Sequence, residues 1–220
     1  MINSPSLANC DLLTIGEQVK ELSFGGITMF HVDIMDGHYV PNLCFPVNFV
    51  ETLKKAYPDI AVDVHLMVDD PMSYIEPLHK CGADYVSFHA DSTNFVRRTV
   101  MLIKEKEMKA GVVINPSQKI DVIEPYINLL DLAVLMTVEP GYAGQRFLSG
   151  SLERISELDA LRKKHNADFK ILIDGGVDYE NAKDCVSRGA DILVTGIYIT
   201  FNQPCGIIEA VKKFDCYINQ

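Results

Sequence analysis

Four short stretches of this 220-residue chain, far apart in sequence, each place a possible metal ligand or acid–base group where a strand would end. They are His31-Val32-Asp33, His65-Leu66-Met67, Met136-Thr137 and Asp174-Gly175-Gly176. Side chains two positions apart on a strand point to the same face. His31 and Asp33 therefore face one site together, with Met35 next in line, and His65 is matched to Met67 in the same way. Two imidazoles and two carboxylates form a donor set for a divalent transition metal, with His31, Asp33, His65 and Asp174 as the ligands. The same carboxylates, Asp33 and Asp174, can also move protons. Gly175 and Gly176 let the backbone approach a ligand closely, although an Asp followed by glycines is also a common turn. The stretch Glu139–Phe147 reads EPGYAGQRF. Its Gly141 and Gly144 suggest a loop that folds over a ligand and presents N–H groups to it. Gly196 sits after the last apolar run, where barrels bind phosphate at helix starts. Met35, Met67 and Met136 either fill the core or lay soft thioethers over a planar, electron-rich intermediate.

Such groups need a frame that brings distant strand ends together. Short β-rich runs occur at Ile2–Leu7, Met29–Asp33, Ala61–Met67, Tyr85–Phe88, Gly111–Ile114, Ala133–Met136, Lys170–Ile173 and Ile192–Thr195. Between them, apolar residues recur at helical spacing over Leu12–Leu22, Val47–Ala56, Met72–Cys81, Phe95–Lys106, Leu152–Lys164, Glu180–Arg188 and Cys205–Tyr217. A weaker segment, Ile120–Leu130, is interrupted by Pro125. Eight strands at a mean period of roughly 27 residues predict an α/β protein, a TIM (β/α)8 barrel. A doubly wound sheet is disfavoured, because the first strand runs into Ala8-Asn9-Cys10-Asp11 with no G-x-G-x-x-G. No linker, repeat or composition break divides the chain, so residues 1–220 are expected to form one domain. In such a barrel the site lies where strands end and βα loops begin, and each of the polar stretches falls there.

Composition narrows the partners. The formal net charge of −10 argues against nucleic acid, so an anionic substrate must be captured locally by backbone N–H groups. No apolar run is long enough to span a bilayer, and the first residues lack a signal-peptide pattern, so a cytoplasmic protein is expected without a membrane partner. The six cysteines are dispersed, which excludes a zinc ribbon and suits reduced thiols.

The stretches SPSL from Ser4, HVDIMDGHYVPN from His31, DVHLMV from Asp63 and GADYVSFHAD from Gly82 occur in this order. GVVINP from Gly111, LMTVEPGYAGQRF from Leu135, IDGGV from Ile173 and GAD from Gly189 follow. Together they make the chain resemble the ribulose-phosphate 3-epimerase family over nearly its whole length. That resemblance implies a homo-oligomeric barrel enzyme that inverts carbon 3 of a phosphorylated ketose. It implies metal ligation by His31, Asp33, His65 and Asp174, with Asp33 and Asp174 acting as acid and base on opposite faces of the sugar. It further implies a substrate pocket lined by Ser6, Met35, Met67 and Met136, with phosphate bound by the backbone of Gly144, Gly175, Gly176 and Gly196. The divalent ion is left open among Zn, Fe(II), Mn and Co.

The chain departs from the family pattern at three places. Ile197-Tyr198 stands where a small polar residue usually follows the glycine, Leu43-Cys44-Phe45-Pro46 alters another loop, and Ala143 replaces the commoner glycine. Ala143 and Phe201-Asn202 resemble the allulose-6-phosphate branch, so a six-carbon substrate stands as the alternative to ribulose 5-phosphate. A non-catalytic sugar-phosphate binder is a third reading.

Overall fold

Valine, isoleucine and leucine crowd the short runs, and in the computed structural model, which describes residues 1–219, they become eight parallel strands. Gln220, the last residue of the expected domain, lies outside the described residues. The strands are β1 (Ile2–Pro5), β2 (Met29–Met35), β3 (Ala61–Met67), β4 (Tyr85–His89), β5 (Lys109–Ile114), β6 (Leu132–Met136), β7 (Lys170–Asp174) and β8 (Ile192–Thr195). Their order around the sheet is β1-β8-β7-β6-β5-β4-β3-β2. Between β1 and β2 the ladder is reduced to one bridge, Ser6 to His31, which draws the sheet into a TIM barrel.

Outside the strands lie α1 (Ile15–Gly25), α2 (Asn48–Ala56), α3 (Met72–Cys81), α4 (Val96–Glu105), α5 (Ser151–Lys164), α6 (Ala182–Ser187) and α7 (Ile207–Ile218). After β5 the eighth position is taken by a 3-10 segment, Ile120–Leu129, with Pro125 inside it. Proline removes a donor and obstructs the preceding turn, so the weak helical pattern there does not become an α-helix.

Among the boundaries that differ from the sequence expectation, two do so for evident local reasons. Helix α1 begins at Ile15 rather than Leu12, because Asp11 turns the chain first. Its carboxylate accepts the Leu13 N–H at 3.0 Å and its carbonyl the Thr14 N–H at 3.0 Å. Strand β1 stops at Pro5 rather than Leu7, and a 3-10 turn over Leu7–Asn9 follows. Strand β2, by contrast, runs two residues beyond Asp33 to Met35.

The period of two separates two cores. Met29, Val113, Leu132, Val134, Leu172, Ile192 and Val194 fill the barrel interior, while Phe30, Val32, Ile34 and their counterparts pack outward against the helices. The lower barrel is thus a packed apolar plug. Space inside is tight: a Cβ at Gly111 would lie 2.0 Å from Ser87 Oγ. Above this plug, at the C-terminal ends of the strands, the inward positions turn polar.

Candidate active site

Strand β2 turns His31, Asp33 and Met35 inward, and β3, in register beside it, turns Asp63, His65 and Met67 inward. Asp174 comes from the far side as the last residue of β7. One ligand atom from each of His31, Asp33, His65 and Asp174 lies within 4.8 Å of the others. His31 Nε2 is 3.4 Å from Asp33 Oδ1 and 3.5 Å from Asp174 Oδ2. His65 Nδ1 is 3.3 and 3.2 Å from the same two oxygens. Four groups predicted from three separate stretches therefore converge on one point.

The other ring nitrogens are held from behind. Asp63 Oδ2 lies 2.8 Å from His31 Nδ1, and His89 Nε2 lies 2.8 Å from His65 Nε2. His31 Nε2 and His65 Nδ1 are buried without a hydrogen-bond partner. Orphaned nitrogens are costly unless something else uses them. Two orphaned imidazole nitrogens aimed at two carboxylates fit a divalent cation of the transition series.

The electrostatics agree. Burial alone pushes the His31 imidazole toward its neutral form. The Asp33 charge and the carboxylates of Asp174, Asp33 and Asp63 outweigh that and raise its pKa well above the ordinary value. His65 is raised by the same competition, with Asp174 and Asp33 outweighing burial. Burial raises Asp33 and Asp174, but His31 and His65 more than offset it. Asp33 falls well below the carboxylate range and Asp174 falls to about 2. The buried imidazoles and carboxylates thus favour one another's charged forms. Ligating imidazoles must be neutral, so a divalent cation bound here would compensate the carboxylates in place of imidazole protons.

Asp33 is further oriented by Ser6, whose hydroxyl donates to Asp33 Oδ2 at 2.7 Å. Asp174 is placed by the end of the neighbouring strand β6. The Thr137 N–H and hydroxyl both donate to its carbonyl, at 2.8 and 3.0 Å. A cavity of about 620 Å³, counting its open mouth, lies above both carboxylates. Every substrate-pocket residue expected from the sequence lines it: Ser6, the methionines Met35, Met67 and Met136, and glycines 141, 144, 175, 176 and 196.

Opposite the His–Asp cluster the cavity wall is largely backbone. Gly175 has φ +120°, and a Cβ there would lie 2.4 Å from Val138; Gly176 has φ +66°, and its Cβ would lie 2.3 Å from the Phe147 nitrogen. Only glycine fits both the dihedral and the space. The N–H groups of Gly176, Ile197 and Tyr198 donate to nothing among the described residues. Free backbone N–H groups on residues lining the cavity can hold an anion in a protein whose net charge would repel one.

The departures at 197 and 198 have structural roles. Tyr198 Oη donates to the Gly144 carbonyl at 2.7 Å, and the Arg146 guanidinium lies 4.9 Å from its ring centre. On the other side, Asn42 Nδ2 donates to the Gly141 carbonyl at 2.8 Å, and Tyr142 Oη to the Pro41 carbonyl at 2.9 Å. The loop after β6 is thus tied at both ends across the cavity mouth. Phe201 and Asn202 do not line the cavity.

Sequence reasoning singled out neither Asp63 nor His89. Asp63 carried a signal, since it lies two residues before His65 on the same strand face. His89 became visible only once β4 stood beside β3.

Among known proteins, the model of the ribulose-phosphate 3-epimerase family matches residues 2–200. A ribulose-phosphate 3-epimerase of Bacillus subtilis is 41% identical over 194 residues, covering 88% of this chain and 89% of that protein. A chloroplastic ribulose-5-phosphate-3-epimerase of Arabidopsis thaliana is 38% identical over 198 residues, covering 89% of this chain and 70% of its own. Among solved structures, KGPDC from Streptococcus mutans in complex with D-R5P superposes with a TM-score of 0.78 at 14% identity, over 99% of this chain and 96% of that one. That likeness concerns the barrel alone.

Proposed function

We propose a reaction for this site from one premise: the chain belongs to the ribulose-phosphate 3-epimerase family. The protein is an isomerase that interconverts D-ribulose 5-phosphate and D-xylulose 5-phosphate, a step of the pentose phosphate pathway. The observation that carries the reading is the convergence of Asp33 and Asp174 with His31 and His65 at the floor of a cavity whose far wall is a backbone anion cradle.

The C3 proton of a ketose leaves too slowly without help at neutral pH. A divalent ion held by His31, Asp33, His65 and Asp174 would supply Lewis acidity toward the C2 carbonyl and C3 hydroxyl oxygens. One aspartate removes the C3 proton; the electron pair enters the C2–C3 bond and charge moves to the C2 oxygen, giving an enediolate. The other aspartate, protonated at the start, delivers its proton to the opposite face of C3. The two carboxyl groups finish with their protonation exchanged and the centre inverted. A single base would return the proton to the face it came from, so two carboxylates are the minimum for a two-base inversion.

Ser6 supports this assignment by fixing one oxygen of Asp33. Met35, Met67 and Met136 supply a soft apolar lining for the flat intermediate. Gly141 and the tied loop after β6 keep water from it, and Gly144, Gly175, Gly176 and Gly196 form the phosphate end, assisted by the amides of Ile197 and Tyr198. The whole span 1–220 acts as one epimerase domain. The ion is Zn, Fe(II), Mn or Co, since imidazole and carboxylate ligands suit each of them.

The six-carbon alternative is not favoured: the curated relatives are named for ribulose phosphate, and Phe201-Asn202 stand away from the cavity. Replacement of Asp33 or Asp174 by Asn removes the base while keeping size and shape. Each variant should fold and lose at least about 100-fold in turnover. Near-normal rates in either would reject the two-base reading.

A homo-oligomer is supported by exposed apolar side chains at Leu12 (72% exposed), Leu13 (94%) and Leu43 (74%) in the loops after β1 and β2. A cytoplasmic location fits the reduced-thiol pattern of the dispersed cysteines. No helix among the described residues is long and apolar enough to cross a membrane.

A further inference from the structure

The two histidines of the cluster are supported in different ways. Behind His31 stands a buried carboxylate, Asp63, at 2.8 Å. Behind His65 stands a second imidazole, His89, whose Nε2 is 2.8 Å from His65 Nε2. The two rings also stack, with centroids 5.0 Å apart and planes inclined by 28°. On its other side His89 packs against the Tyr39 ring, with centroids 4.6 Å apart.

A hydrogen bond between two imidazole nitrogens needs one donor and one acceptor, and the cluster decides which is which. With His65 Nδ1 kept as a lone pair toward the metal-binding point, its proton sits on Nε2 and is donated to His89 Nε2. His89 then carries its proton on Nδ1, which is buried with no other partner. Asn115 Oδ1 is likewise buried without a partner. The amide end of Asn115 faces outward. Its Nδ2 donates to Tyr39 Oη at 2.7 Å and to Asp91 Oδ2 at 3.0 Å. Tyr39 Oη donates to Asp91 Oδ1 at 2.8 Å. Tyr39, whose ring packs on His89, and Asn115 thus both donate to the Asp91 carboxylate.

We propose that His89 is a positioning residue for the metal site, holding His65 in the tautomer and ring orientation that present Nδ1 to the ion, with the Tyr39 ring, itself held by Asn115 and Asp91, packed against His89. The inference rests on the reading of His65 as a metal ligand and deepens it. It also assigns unequal strengths to the two imidazoles: a carboxylate polarises His31 directly, whereas His65 is backed by a second imidazole. Outer partners of this kind typically account for about 10–100-fold in metal affinity.

The test is cobalt(II) binding to metal-stripped protein, followed by visible absorption and by competition against a chelator. Melting curves of the metal-free proteins are recorded alongside. His89→Leu should weaken Co(II) binding by about 10–100-fold and alter the ligand-field bands. His89→Gln, which retains an acceptor in place of Nε2, should restore most of both. Asn115→Ala, at the barrel mouth, should shift affinity in the same direction and decides the matter if His89→Leu does not fold. In a His65→Ala background His89→Leu should add little further loss, because the residue it positions is gone. A His89→Leu protein that melts lower yet binds Co(II) with wild-type affinity and spectrum makes His89 a packing residue and overturns the inference. So does a full additional loss in the His65→Ala background. Wild-type protein that takes up no cobalt overturns the ligand reading itself, which separates the two failures.

Discussion

Gly176→Ala adds a single methyl group to the proposed phosphate cradle, and its cost can be worked out from two separate sources. The residue has φ +66°, a left-handed conformation that costs an L-residue about 1–2 kcal/mol. The new Cβ would also lie 2.3 Å from the Phe147 nitrogen and 2.8 Å from the Arg146 carbonyl carbon. Both are backbone atoms, so no side-chain rotation relieves the overlap. Restoring an ordinary 3.4 Å contact needs a displacement of 1.1 Å (3.4 less 2.3) in the loop after β6. Overpacking of that kind costs about 1–3 kcal/mol, for a total of about 2–5 kcal/mol. At about 2–4 °C per kcal/mol for a chain of this size, the melting temperature should fall by about 4–20 °C.

The functional effect should exceed what lower stability alone would produce. Moving Arg146 and Phe147 carries Gly144 away from Tyr198 and turns the Gly176 N–H from the phosphate. One hydrogen bond to a charged group is worth about 1.5–3 kcal/mol, so KM should rise by about 10–100-fold at temperatures where the protein is folded. Two controls separate the terms. Gly150 has φ +83° with nothing within 4 Å of a Cβ, so Gly150→Ala should show the dihedral cost alone and leave KM unchanged. Gly16 lies inside α1 with open space and no positive φ, so Gly16→Ala should stabilise by about 0.5–1 kcal/mol. Thermal melts and steady-state kinetics with D-ribulose 5-phosphate read all three. A Gly176→Ala enzyme that melts and binds like Gly150→Ala would refute the placement of the loop against the cradle.

Three further outcomes are expected. Tyr198→Phe removes the bond to the Gly144 carbonyl, worth about 0.5–1.5 kcal/mol, and should raise KM a few-fold with the melting temperature nearly unchanged; no change in KM would deny the bond a part in holding the loop. Zn(II) or Co(II) at about 100 times its Kd should stabilise metal-stripped protein by about 2.7 kcal/mol, an upward shift in melting that His31→Ala and His65→Ala should each reduce at the same metal concentration. Burial raises the Asp36 carboxyl, but the N–H groups of Asp69, His38 and Tyr39 bind it and hold it below its ordinary pKa. Its stabilising contribution is therefore complete above the unfolded value of about 4 and is lost as pH falls through the lower folded value. Wild type should lose stability relative to Asp36→Asn on acidification in that range, and parallel curves in denaturant titrations would contradict the assignment.

The barrel was legible because strands buried on both faces read as apolar runs, and their polar ends then stood out. His31-Val32-Asp33 was informative for that reason: a buried strand has no other use for such groups. Pro125 told correctly against a helix. Local side-chain competition was harder to read. Asp11 turns the chain before α1, and nothing in the helical periodicity of Leu12 and Leu13 shows it. The supporting shell was the least visible. Asp63 is recoverable by counting in twos from His65, but His89 serves a residue on another strand, and single-sequence spacing does not encode that neighbour. Ile197-Tyr198 was visible only as a departure, while its effect, tying one loop to another, depends on where Gly144 ends up.

The seam between β1 and β2 has a consequence for how the enzyme comes into being. β1 is paired along its length with β8, the strand farthest from it in the chain, while only the Ser6–His31 bridge joins it to β2. During synthesis the first strand to emerge therefore waits for the last before it has a lasting neighbour. Ser6, which orients Asp33, rides on that late-docking strand. The surroundings of Asp33 are thus completed only when β1 and β8 meet, so a nascent chain that still lacks β8 holds His31, Asp33 and His65 without the Ser6 hydroxyl fixed beside Asp33.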